Sequence, residues 1–149
     1  MLKVRILLVD DFEPWRRFVS STLQRYPSFE IVLEVSDGLQ AVQKAAELDP
    51  DLILLDIGLP GLNGIEAARR IRKLAPNSKI IFLTEDSGED LAEEAFRIGV
   101  AGYVVKADAA RELISAMQAV VLGQRFVSAR LRGEAFSHIT GAASAQPRA

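Results

Sequence analysis

Asp10, Asp11, Asp56, Thr84 and Lys106 each stand where a short apolar run stops. Val4–Val9 runs into Asp10-Asp11, Leu52–Leu55 into Asp56, Lys79–Leu83 into Thr84, and Gly102–Val105 into Lys106. In an open parallel α/β sheet, ligands sit just beyond the carboxyl ends of the strands. The order of these residues therefore predicts three carboxylates, one hydroxyl and one ammonium at one edge. Three neighbouring carboxylates repel unless a cation or protons offset them. A small hard cation such as Mg²⁺ takes oxygen ligands and keeps several waters. Beside it, a Lys point charge and a Thr hydroxyl suit a phosphoryl group. A carboxylate can itself be the nucleophile, giving an aspartyl phosphate. Positioning and electrostatics do nearly all the work in such a transfer. Taken singly, an Asp after a strand is ordinarily a helix cap or turn former. Asp11 and the Asn63-Gly64 pair both admit that plainer reading, so the joint pattern carries the argument.

Five apolar runs alternate with five helical patterns to position these groups. The runs are Val4–Val9, Phe29–Val35, Leu52–Leu55, Ile80–Leu83 and Tyr103–Val105. Most are continuously apolar, as suits strands covered on both faces. The first helix is expected from Pro14 to about Gln24, Pro14 suiting the first turn. The second spans about Gly38–Leu48. The third spans about Gly64–Leu74, with Asn63 and Glu66 spaced like a capping box. The fourth spans about Gly88–Ile98 with Ser87 as N-cap. The fifth spans about Ala109–Leu122 with Asp108 as N-cap and Gly123 closing it. The alternation predicts an α/β doubly wound, five-stranded parallel sheet of flavodoxin-like order 2-1-3-4-5. Asp10, Asp11 and Asp56 would flank its switch point. A domain over 1–123 is expected, then a tail over 124–149. In the tail, Phe126, Val127, Leu131, Phe136 and Ile139 could face the fifth helix or a partner. Gly133 weakens any helix there, and Gly141–Ala149 reads as disordered.

The 149 residues fit one domain and contain no cysteine and one histidine, His138. Disulfides, thiolate metal sites and multi-histidine clusters are therefore excluded within the chain. The formal charge is −2 and the pI about 5.5, which gives no nucleic-acid footprint. The apolar runs are far short of a membrane span, and the N-terminus reaches Asp10-Asp11 too soon for a signal peptide. A soluble, cytoplasmic protein is expected.

The segments Leu8-Val9-Asp10-Asp11, Asp56-Ile57-Gly58-Leu59-Pro60-Gly61-Leu62-Asn63-Gly64, Phe82-Leu83-Thr84 and Gly99–Lys106 together resemble the receiver domain of two-component response regulators. The resemblance covers about Val4 to Gly123. Asp108, where a proline is common elsewhere, and Gly123–Ser128 resemble the subfamily that carries a C-terminal helix-turn-helix. Such a domain needs two packed helices and a supporting core. The short tail lacks both, so a single-domain regulator, or one whose output domain was lost or removed, is expected.

The resemblance implies roles. Asp56 would accept phosphate from a phosphohistidine of a histidine kinase or phosphotransfer protein. Asp11, Asp56 and the Gly58 carbonyl would bind Mg²⁺ directly, with Asp10 acting partly through water. Lys106 would bind the phosphoryl group. Thr84 and Tyr103 would form a switch pair, Tyr103 turning inward on phosphorylation. The pair would couple to the face of the fourth helix, fifth strand and fifth helix, where a homodimer would form. Such a domain assists its own phosphotransfer and dephosphorylation and is otherwise no enzyme. Read without the resemblance, Tyr103 is a half-buried strand aromatic.

One departure is Glu85, followed by Asp86, where the family usually has a small residue after Thr84. An added carboxylate there would repel an anionic donor, or else lie in solvent. It is the main support for a degenerate receiver that acts as an unphosphorylated interaction module. Two other classes compete less well. An Mg²⁺-dependent phosphohydrolase carries a second Asp two residues after its nucleophile, where this chain has Gly58. A flavin or nucleotide carrier needs a Gly-rich phosphate loop after the first strand, where Asp10-Asp11 would repel the anion.

Overall fold

The computed structural model describes residues 3–132. Phe136, His138, Ile139 and the 141–149 stretch lie outside the described residues. Among the described residues, six strands are β1 (Val4–Val9), β2 (Phe29–Val35), β3 (Leu52–Leu55), β4 (Lys79–Thr84), β5 (Gly102–Val105) and β6 (Phe126–Val127). The same residues form five α-helices, α1 (Glu13–Leu23), α2 (Gly38–Leu48), α3 (Gly64–Leu74), α4 (Glu89–Ile98) and α5 (Ala109–Val121). The strands follow the order β2-β1-β3-β4-β5-β6. The expected order of the first five holds; the expected count of five does not. The chain divides into two compact units between Ile80 and Ile81.

In the first unit β1 pairs in parallel with β2 on one side and β3 on the other. Ile6, Leu7 and Leu8 of β1 and all four residues of β3 are fully buried. Each such side chain contributes roughly 1.5–3 kcal/mol of burial. This two-sided burial is why the runs are apolar without alternation. The β1–β2 register shifts after Ile6, which pairs with Ile31 while Leu7 pairs with Leu33. Asn63 caps α3 as expected, its Oδ1 accepting the Glu66 amide at 3.0 Å. Glu66 turns its own carboxylate to Arg69 and Arg70. α1 starts at Glu13, one residue before Pro14.

In the second unit β5 pairs in parallel with β4 and with β6. The sixth strand is two residues long and begins where the Phe126 amide donates to the Ala101 carbonyl at 3.0 Å. Gly123, at φ +87°, turns the chain out of α5 toward it. The Gln124 amide closes that turn on the Ala119 carbonyl at 2.9 Å. Two expected caps are corrected. Gly88, not Ser87, precedes α4, and the nearby carboxylate, Asp86, takes the Gly88 amide at 2.7 Å. Asp108 precedes α5 but caps nothing, because its carboxylate is engaged by Arg111 and Arg130.

Candidate functional site

The acidic cluster belongs to the first unit. Asp10 follows β1, and its amide still donates to Val35 of β2 at 3.1 Å. Its Oδ1 accepts the Phe12 amide at 2.9 Å, and its carbonyl accepts Arg16 Nη1 at 2.7 Å. Arg16 also reaches Glu34 at 3.0 Å, tying α1 to β2. The plain turn-forming role of Asp10 is therefore real, and it fixes the buried carboxylate. Asp11 is exposed. Asp56 follows β3, held by its amide to the Val9 carbonyl at 3.0 Å and by the Gly58 amide on Oδ1 at 3.3 Å. It is buried but for 8 % of its surface.

The loop from Asp56 to α3 is threaded through two close approaches. A Cβ on Gly64 would run into the Asp56 carbonyl and lie 2.6 Å from the Ile57 Cα. A Cβ on Gly38 would run into the Leu62 carbonyl. The backbone can therefore pack tightly enough to set Asp56 beside the end of β1. The result is that ligand oxygens of Asp10, Asp11 and Asp56 all lie within 4.8 Å of one another. Three hard oxygen donors at that spacing, two of them buried, fit a divalent oxygen-seeking cation. Arg16, Gly38 and Gly64 were not legible as site residues. Asn63-Gly64 was legible as a helix start and as part of the receiver-like segment, not as a close approach to Asp56.

The second unit holds the other expected residues. Thr84 ends β4, is buried, and accepts the Asp86 amide on Oγ1 at 3.1 Å. Its hydroxyl keeps a proton to donate. Tyr103 of β5 donates from its hydroxyl to the Asp86 carbonyl at 2.8 Å. Thr84 and Tyr103 thus grip one residue of the β4–α4 loop. Tyr103 is fully buried, edge-on to Phe82 with centroids 6.4 Å apart, not the half-buried aromatic expected. It already points inward. Burial, and secondarily the Asp86 charge, push its phenol far above the ordinary value, so it stays a neutral donor. Glu85 is exposed to solvent. Lys106 is partly buried and opens a 3₁₀ turn, Lys106–Asp108, directly after β5.

The pattern of the response regulator receiver domain matches residues 6–118. The chain belongs to the response regulator receiver domain family. This receiver domain is 33% identical to the transcriptional regulatory protein LiaR of Bacillus subtilis over 136 residues, covering 91% of this chain and 64% of LiaR. It is 34% identical to the response regulator UvrY of Escherichia coli K12, covering 84% of this chain and 57% of UvrY. The chain thus spans about three-fifths of the length of these relatives. A solved two-component response regulator of the LuxR family from Aurantimonas sp. SI85-9A1 is 31% identical, with a TM-score of 0.83 over 97% of this chain and 99% of that one. The receiver fold is accordingly α/β and flavodoxin-like with a parallel sheet. Among the described residues, no helix is long and apolar enough to cross a membrane.

Proposed function

We propose that Asp56 accepts a phosphoryl group from the phosphohistidine of a histidine kinase or phosphotransfer protein. The observation that carries this reading is the clustering of Asp10, Asp11 and Asp56 in a chain of the receiver family. Asp10, Asp11, Asp56 and the Gly58 carbonyl would hold Mg²⁺. When bound, the cation supplies charge neutralisation for the anionic donor and the carboxylate nucleophile. An Asp56 oxygen forms the new P–O bond while the donor P–N bond breaks, the electron pair leaving with the imidazole nitrogen. Lys106 draws the phosphoryl oxygens by its charge, and Thr84 donates its hydroxyl to one of them. Support comes from their positions, each at the carboxyl end of its strand.

Thr84 and Tyr103 then serve as the switch. Both hold Asp86, three residues before α4, so a change at Thr84 is passed to the start of that helix. Because Tyr103 is inward here, the pull falls on the loop rather than on a ring flip. The output is a changed contact of the α4, β5 and α5 face with a partner or a second copy. The domain assists only its own phosphotransfer and dephosphorylation, in the cytoplasm. The solvent position of Glu85 lends no weight to an unphosphorylated module. Incubation with Mg²⁺ and acetyl phosphate, read by intact mass, should add one phosphate to the wild type and none to Asp56→Asn. Equal labelling of the two proteins overturns the assignment.

A further inference from the structure

The residues after α5 are tied to the turn that carries Lys106 on both of its flanks. β6 ends at Val127, and the Ser128 amide makes the last backbone ladder bond, to the Tyr103 carbonyl at 2.9 Å. The next donor along β5 is the buried Val105 amide. It is satisfied by a side chain instead, the Ser128 Oγ at 2.8 Å. Ser128 is fully buried and its own hydroxyl donates to Glu112 Oε1 of α5 at 2.6 Å. The second Glu112 oxygen accepts the Ala129 amide at 2.9 Å. Two residues beyond Lys106, the buried Asp108 carboxylate takes both prongs of the Arg130 guanidinium, at 2.7 and 2.8 Å. Arg111 adds a third bond at 2.8 Å. A forked charge-assisted pair of this kind fixes orientation as well as distance.

We propose that Ser128 and Arg130 are positioning residues for Lys106, so that the segment after α5 is part of the phosphoryl-binding machinery. Ser128 fixes the residue before Lys106 and Arg130 fixes the residue two after it, leaving the lysine on a turn anchored at both ends. A fully buried serine serving as acceptor and donor at once is not needed for solubility or for a strand of two residues. Its geometry serves the Val105 amide and Glu112 together. Ångström displacements of a positioning group are enough to slow a transfer by up to about a hundredfold. The inference rests on Lys106 as the phosphoryl ligand.

The test uses the full chain with acetyl phosphate and Mg²⁺, comparing Ser128→Ala, Arg130→Ala, Lys106→Ala and the pairwise combinations. Arg130 is half-exposed, and in Arg130→Ala the buried Asp108 carboxylate keeps its bond from Arg111, so thermal unfolding of each variant is recorded beside the rates. Ser128→Ala and Arg130→Ala should each slow Asp56 labelling roughly tenfold. Neither should slow it further in the Lys106→Ala background. Arg130→Lys, which keeps charge without the fork, should rescue Arg130→Ala only in part. Independently of activity, amide exchange at Val105 and Lys106 should quicken in Ser128→Ala. Failure of the two readings is distinguishable. If Lys106→Ala labels like the wild type, the ligand reading falls and takes the positioning claim with it. If Lys106→Ala is slow while both clamp variants label normally, or are equally slowed without Lys106, the positioning claim alone falls.

Discussion

Asp11→Asn should stabilise the protein in chelator and destabilise it, relative to wild type, in Mg²⁺. The substitution removes one negative charge and keeps the side chain's shape. Asp11 is exposed, so the dielectric constant of water is the fitting one. Its carboxylate oxygen lies within 4.8 Å of those of Asp10 and Asp56. At that separation each pair of unit charges repels by about 0.9 kcal/mol in water. Asp11 faces two such charges, so neutralising it relieves about 2 kcal/mol at low ionic strength. For a chain of this size the gain corresponds to roughly 4–8 °C in Tm. The sign reverses when cation is present. A ligand that binds only the native state stabilises it by about 2.7 kcal/mol at a hundred times its Kd. The wild type collects that gain, and a variant short of one carboxylate ligand collects less.

The assay is thermal unfolding followed by the fluorescence of Trp15, the single tryptophan. It is run in EDTA, across an MgCl₂ titration, and in EDTA with about 1 M salt, where the Debye length falls to about 3 Å. The curves should cross as Mg²⁺ rises, and the EDTA difference should shrink in salt. A variant no more stable than wild type in EDTA would refute the repulsion argument. An undiminished Mg²⁺ gain would refute Asp11 as a ligand. Asp10→Asn should lose less of the Mg²⁺ gain, because Asn keeps an acceptor for the Phe12 amide and Asp10 is read as partly water-mediated.

Gly64→Ala forces a methyl against the Asp56 carbonyl, so denaturant unfolding should show a loss of roughly 1–3 kcal/mol, and an unchanged midpoint would contradict the close packing. Tyr103→Phe removes the bond to the Asp86 carbonyl, which should cost about 0.5–1.5 kcal/mol and speed amide exchange over residues 85–88; unchanged exchange there would mean that Tyr103 does not hold the loop. The Arg130 hydrogen bond, against the opposing effect of burial, holds the Asp108 carboxyl below its ordinary range. Its folded value thus lies under the unfolded one of about 3.9, so the stabilisation is complete above that pH and is lost as pH falls through the folded value. Arg130→Ala should flatten this acid limb of the stability profile, and an identical limb in the variant would place the acid sensitivity elsewhere.

Much of the fold was legible because its strands are covered on both faces. Ile6-Leu7-Leu8 and Leu52-Ile53-Leu54-Leu55 must be apolar at every position, and a continuous run is visible without any period. Asn63 and Gly123 were legible because each follows a local rule, an oxygen for an orphan amide and a left-handed turn. β6 was not, since two residues carry no period and their pairing depends on a carbonyl 25 positions back, that of Ala101.

Asp108 was misjudged through competition between a near partner and a distant one. It stands where an N-cap belongs, and locally that reading is sound. A guanidinium 22 residues away offers two charge-assisted bonds where an amide offers one, and it wins. Ser128 closes a ladder for an amide 23 positions earlier, a pairing that no local rule marks. Asp10 resolves the competition the other way. It caps the Phe12 amide and also joins Asp11 and Asp56, since a carboxylate has two oxygens and about four acceptor sites. One carboxylate thus serves as turn former and as candidate ligand. The bond from the Phe12 amide, just ahead of α1, also helps to hold the carboxylate at the place where a cation would need it.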